Sequence, residues 1–128
     1  MRAGMGLRIL LCDDQPDIVR SLALLFQSQG YETAVTYDGT TCLDKAREWK
    51  PHVALVDIGL PDISGYEVAG LLRALPFGKD LAIIAFTGYG KPEDVRRAED
   101  AGFNHHVKKG GDPVLLVEIA ARVTRKWA

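Results

Sequence analysis

Val53-Ala54-Leu55-Val56-Asp57-Ile58-Gly59-Leu60-Pro61-Asp62-Ile63-Ser64-Gly65 sets four apolar residues directly before a single carboxylate and a turn rich in Gly and Pro. An unbroken apolar run this short suits a strand covered on both faces, the situation of a parallel sheet. Asp57 then falls at the carboxyl end of that strand, where open α/β sheets place their ligands.

Working outward, the same unit recurs on both sides. Arg8-Ile9-Leu10-Leu11-Cys12 reads as a first strand that ends in the acid pair Asp13-Asp14. Gln15-Pro16-Asp17 opens a helix with Pro in its first turn, where a missing N–H costs little. Ile18, Leu22, Leu25 and Phe26 are its expected core stripe, and Gly30 its stop. Glu32 to Tyr37 is a β-rich segment with a polar start, which suits an edge strand. Asp38 caps a second helix that packs Cys42, Leu43, Ala46 and Trp49 before Pro51 ends it.

Beyond Asp57, Ser64 and Glu67 have capping-box spacing for a third helix, with Val68, Leu71, Leu72 and Leu75 inward. Leu81 to Phe86 is another continuous apolar strand, which ends at Thr87-Gly88. Pro92-Glu93-Asp94 starts a fourth helix with acids at its dipole-favoured end. That helix offers only Val95, Ala98 and Ala101 to a core, so it is expected to be the most loosely held. His105 to Lys108 is a short fifth strand, and Asp112-Pro113 opens a last helix with Leu116, Ile119, Ala120 and Val123 inward.

The alternation predicts an α/β fold, (βα)5, a doubly wound parallel five-stranded sheet of flavodoxin-like topology with strand order 2-1-3-4-5. In that order strands one and three are neighbours, so Asp13, Asp14 and Asp57 converge on one crevice. Residues 1–6 are expected to be a flexible N-terminus, and residues 7–128 the single domain.

Composition narrows the class. At 128 residues the chain is one domain by length and can bury roughly two thirds of its unfolded surface. Hydrophobic residues at 47% and charged residues at 26% are those of an ordinary globular protein. A net charge of −1 makes no electrostatic case for direct nucleic acid binding. Cys12 and Cys42 lack metal-ligand or CxxC spacing and are expected to pack as small apolar residues. No apolar run approaches the roughly 18 residues of a membrane span, and no signal peptide is visible, so the expected location is cytoplasmic.

Three carboxylates at one sheet edge repel one another unless a cation joins them. Hard oxygen ligands suit Mg²⁺, which keeps several waters and needs few protein ligands. A carboxylate can attack phosphorus to give an acyl phosphate, a transfer that needs positioning and charge neutralisation more than acid–base work. Thr87 and a lysine after the fifth strand, Lys108 or Lys109, can supply a hydroxyl donor and a fixed positive charge.

Taken together, Asp13-Asp14, Asp57 followed by Pro61 and Gly65, Thr87-Gly88, and Gly102-Phe103-Asn104 leading to Lys109 resemble the motif order of response-regulator receiver domains of two-component systems, the CheY-like family. The resemblance covers nearly the whole chain. It implies that Asp57 is the phosphoryl acceptor and that Asp14, Asp57 and the backbone carbonyl of Gly59 ligate Mg²⁺, with Asp13 acting through water. It implies Thr87 bonding the phosphoryl group and a strand-five lysine pairing with it. The family pattern around Asn104 to Lys109 selects Lys109 rather than Lys108. Gly110 stands where the family usually carries proline, which leaves the turn after Lys109 freer. His106 occupies the place of the family's switching aromatic.

The implied partners are a histidine kinase or phosphotransfer domain and a downstream protein that this chain does not identify. The implied function is a phosphorylation-switched signalling module, not an enzyme with a separate substrate. It could equally be the receiver of a hybrid sensor histidine kinase, which the Thr87 to Asp94 run resembles. Two other classes compete. An FMN carrier of the same topology wants a phosphate loop after strand one, and Asp13-Asp14 would repel one. A pseudo-receiver that only binds partners has no need of the intact acid set. More modest readings also exist: the acid pair as helix caps, Thr87 as a turn residue, and His105 and His106 as plain strand residues.

Overall fold

The computed structural model of the chain describes residues 4–88 and 90–127. Five strands and five helices alternate: β1 (Arg8–Cys12), α1 (Pro16–Ser28), β2 (Glu32–Thr36), α2 (Gly39–Trp49), β3 (Val53–Val56), α3 (Gly65–Arg73), β4 (Ala82–Thr87), α4 (Pro92–Ala101), β5 (His105–Lys108) and α5 (Val114–Val123), followed by a 3₁₀ turn over Arg125–Trp127. The sheet is parallel throughout, in the order β2-β1-β3-β4-β5. This is the (βα)5 flavodoxin-like arrangement that the alternation predicts.

Strand alternation sorts the core into two layers. Ile9 and Leu11 of β1, with Val53 and Leu55 of β3, face α1 and α5 and pack with Phe26, Leu116 and Ile119. Leu10, Cys12, Ala54 and Val56 face the other way, toward Cys42, Val68, Leu72 and Ala98 of α2, α3 and α4. A fully buried Leu, Ile or Phe contributes about 1.5–3 kcal/mol, so β1 and β3 anchor the molecule. By the same measure α4, whose only buried residue is Ala98, is weakly held.

Several inward positions differ from the expected stripes. In α1 the buried residues are Val19, Leu22, Ala23 and Phe26, while Ile18 and Leu25 are only partly covered. Small Ala23 is buried in the sheet-facing core, and Phe26 packs at right angles to the Tyr31 ring with centroids 5.6 Å apart. In α3, Ala69 is buried and Leu71 is exposed. In α4, Val95 and Ala101 are half-covered. β2 ends at Thr36, one residue short of the expected Tyr37.

The expected caps form where a side-chain oxygen can reach an orphan N–H. Asp38 Oδ1 accepts from Thr41 N at 2.7 Å, and the Ser64 hydroxyl accepts from Glu67 N at 3.2 Å. Both cysteines are free and buried, and the Cys12 thiol donates to the Asp38 carbonyl at 3.2 Å. Met1 to Ala3 and Tyr89, which bear on the expected mobile N-terminus and the loop after β4, lie outside the described residues. Gly4 N donates to Gln29 O at 3.0 Å. Among the described residues no helix is long and apolar enough to cross a membrane.

Candidate functional site

Register alone brings the acids together. Cys12 of β1 pairs with Val56 of β3, so the next residues, Asp13 and Asp57, emerge side by side at the carboxyl edge of the sheet. Asp57 N donates to Cys12 O at 2.9 Å and Asp13 N to Thr36 O at 3.1 Å, which extends the ladder to the acids themselves. Asp13, Asp14 and Asp57 each present a carboxylate oxygen within 4.8 Å of the others, an arrangement able to chelate a divalent ion. Asp13 and Asp57 are buried, and Asp14 faces solvent.

Burying two carboxylates in contact is costly without a counter-charge. Lys109 provides it. Its Nζ donates to Asp57 Oδ2 at 3.1 Å and to Gln15 Oε1 at 2.8 Å, and lies 2.8 Å from Asp13 Oδ2 as an ion pair. Burial pushes the Asp13 carboxyl above the usual range, with the neighbouring Asp57 charge adding to the rise and Lys109 opposing it. Burial would lower the Lys109 ammonium, but its bonds to Asp13 and Asp57 outweigh burial and hold it above its usual value. Three carboxylates against one ammonium leave the cluster negative, which fits a divalent cation rather than a bare anion.

The two adjacent lysines separate as strand geometry requires. Lys109 N donates to Thr87 O at 2.8 Å and its side chain turns into the acid cluster. Lys108 is exposed, with its stem lying against Gly90. Gly110 follows with φ of 96°, a left-handed conformation open to glycine at little cost.

Thr87, the last residue of β4, is 1% exposed, so it is an interior residue at the carboxyl edge of the sheet rather than part of a surface turn. His106 pairs with Ala85 in the β4–β5 ladder and is half-buried. Its Nε2 is buried without a hydrogen-bond partner. Gly59 N donates to Asp57 Oδ1 at 3.2 Å, which places Gly59 in the turn directly over the Asp57 carboxylate. Gly65 N closes that turn onto Ile58 O at 2.8 Å. A Cβ on Gly65 would stand 2.4 Å from Asp57 O, so this position admits only glycine without backbone movement.

The sequence marks Gln15 only as a helix start. Its side chain holds Lys109 and its N–H donates to Asp13 Oδ1 at 2.9 Å. The sequence signal for the second bond is Asp13 itself, because an aspartate side chain accepts the backbone N–H two residues on. Asp62 is a second omission. It accepts from Gly39 N, Thr40 N and the Thr40 hydroxyl, and these bonds hold its carboxyl far below the usual range. The turn after Asp57 is thereby tied to the start of α2.

A family model described as "Response regulator receiver domain" matches residues 9–121. A protein of Leptolyngbya boryana described as "Uncharacterized 14.6 kDa protein in sodA1 3'region" is 32% identical over 111 residues, covering 87% of this chain and 85% of its own. "DNA-binding response regulator MtrA" of Mycolicibacterium smegmatis is 33% identical over 122 residues, 94% of this chain. The chain spans only 52% of the length of MtrA. Among solved structures, a "response regulator receiver domain protein (CheY-like)" from Methanospirillum hungatei JF-1 superposes with a TM-score of 0.84 at 29% identity, over 94% of this chain and 96% of that one.

Proposed function

The chain belongs to the response-regulator receiver family, and from that premise we propose that Asp57 accepts a phosphoryl group from a histidine kinase or phosphotransfer domain in a Mg²⁺-dependent reaction. The observation that carries this reading is the contact of Lys109 with both Asp13 and Asp57 inside a three-carboxylate cluster. A receiver's chemistry is confined to gaining and losing phosphate on its own aspartate.

In the proposed step a carboxylate oxygen of Asp57 attacks phosphorus. The P–N bond to the donor histidine breaks, its electron pair returns to the imidazole, which takes up a proton, and Asp57 becomes an acyl phosphate. Asp14, Asp57 and the Gly59 carbonyl would hold Mg²⁺ directly, and Asp13 through water; the ion supplies neutralisation of the phosphoryl oxygens. The Lys109 ammonium then pairs with one phosphoryl oxygen, and the Thr87 hydroxyl donates to another. The buried, unpartnered Nε2 of His106 supports its role as the side chain that repacks when Thr87 is drawn toward the phosphate.

The test is acetyl phosphate with Mg²⁺, followed by intact-mass spectrometry. Wild type gains one labile phosphoryl group, EDTA prevents the gain, and Asp57→Asn does not acquire it. Labelling of Asp57→Asn equal to wild type would overturn the assignment. Asp14→Ala should weaken Mg²⁺ binding strongly, and an unchanged titration would remove Asp14 as a ligand.

A further inference from the structure

At the end of the sheet opposite the acid cluster, a cavity of about 460 Å³ opens between the end of α5 and the amino ends of β4 and β5. Its size lies within the roughly 300–1,000 Å³ of small-molecule sites. Lys79, Arg122, Arg125 and Lys126 line it, with His105 beside them. Among the described residues none of these four cations makes an ion pair. A chain of net charge −1 does not concentrate positive charge through composition alone. The negative end of the α5 dipole favours cations in its last turn, which accounts for Arg122 and its neighbours. It does not account for Lys79, which comes from the α3–β4 connection, or for His105, which comes from β5.

The walls are set before any ligand arrives. Lys126 Nζ donates to the Asp80 carbonyl at 2.7 Å, which fixes an ammonium at the rim. Asn104 is held by Ile83 N at 2.8 Å and by Arg73 Nη2 at 2.7 Å. Leu81, Ala82 and Val123 supply an apolar wall beneath the cations. A single carboxylate would satisfy one of these charges and leave the others repelling. Consecutive phosphates satisfy several at once through charge-assisted bonds.

We propose that this cavity is a second ligand site, independent of Asp57, that takes a small molecule bearing a polyphosphate chain. Two sources share that chemistry, a bare polyphosphate and a nucleoside polyphosphate whose base lies on the apolar wall. Calorimetric titration of the whole chain in low salt with EDTA keeps metal from bridging phosphate to the acid cluster. The probes are tripolyphosphate and adenosine triphosphate. Saturable binding is expected, weakening as salt rises, with NMR shifts at Lys79, Ala82 and His105. Tighter binding of the nucleotide assigns the apolar wall to the base, and equal binding assigns the site to the phosphates alone.

Charge reversal in the double variant Arg122→Glu/Arg125→Glu should weaken binding about tenfold or more, the scale of one lost charge-assisted contact. Lys79→Glu, from the other wall, gives an independent reading if that variant folds poorly. Arg20→Glu on α1 and Asp57→Asn should bind as wild type, so failure here is distinct from failure of the phosphorylation reading. Absence of saturable binding, or undiminished binding in both cavity variants, overturns the proposal.

Discussion

Lys109 Nζ stands 3.1 Å from Asp57 Oδ2 across 52 residues of sequence, joining the turn after the last strand of the sheet to the carboxylate that follows the middle one. Because Lys109 also contacts Asp13, removing it leaves two buried carboxylates in contact without a counter-charge. Lys109→Ala should therefore lose stability by roughly 2–4 kcal/mol and lose most phosphorylation or its structural consequence. Lys108→Ala, at an exposed position, should change neither. Urea unfolding and acetyl phosphate labelling of the two variants decide it, and the reverse order would place the functional charge at Lys108.

Under the proposed function, coupling from the site to the surface is expected to run through Thr87 and His106. A phosphate mimic shifts an equilibrium only by its difference in affinity for the two states. Beryllofluoride with Mg²⁺ should perturb amide signals from Thr87 through Lys109. Thr87→Ala should bind the mimic yet lose most of the change at His106. An equal perturbation at His106 in that variant would show that the coupling bypasses Thr87.

Gly65→Ala is expected to be costly although it adds one methyl group. The new Cβ meets Asp57 O at 2.4 Å and Ile58 Cα at 2.6 Å, both backbone atoms that cannot rotate away. A loss of about 1–3 kcal/mol in thermal or urea unfolding is expected, together with slower labelling at Asp57. Wild-type labelling kinetics would mean that the turn absorbs the methyl without moving the carboxylate.

Arg73 ties α3 to the turn before β4 and to the α4–β5 turn. Its guanidinium donates to the carbonyls of Gly78, Leu81 and Gly102 and to Asn104 Oδ1. Lysine cannot reproduce that planar fork, so Arg73→Lys should cost roughly 2–4 kcal/mol, nearly as much as Arg73→Ala. Denaturant titration of both variants is the measurement. A lysine variant as stable as wild type would show that charge, not geometry, holds these turns.

His52 should impose an acid limb on stability. Burial, helped by the nearby Arg8 charge, lowers its imidazole below 6.5, and its Nδ1 accepts the Arg8 N–H at 3.0 Å. Protonation therefore favours the unfolded chain, so the contribution of His52 is present above 6.5 and is lost as pH falls through its folded value. His52→Asn can keep an acceptor for Arg8 while abolishing the titration. The difference between wild-type and variant unfolding free energy should shift against wild type between neutral and mildly acid pH; parallel curves would exclude His52 as the source.

The order of elements, the parallel sheet and the identity of the acid cluster are legible in the residues alone, because apolar runs, Gly/Pro punctuation and strand-end carboxylates are local signals. Arg8–Cys12 and Val53–Val56 could be read as buried strands without knowing what covered them, and topology then made Asp13 and Asp57 neighbours. Which of two adjacent lysines turns inward came from the family pattern, and the three oxygens around Lys109 come together only when residues far apart in sequence meet. Helix rotation was equally nonlocal: Val19, Ala23 and Ala69 are buried, while Ile18 and Leu25 are only partly covered and Leu71 is exposed. The basic cavity was invisible for the same reason. Lys79, His105 and Arg122 stand far apart along the chain, and only packing of α5 against the amino ends of β4 and β5 sets them around one space.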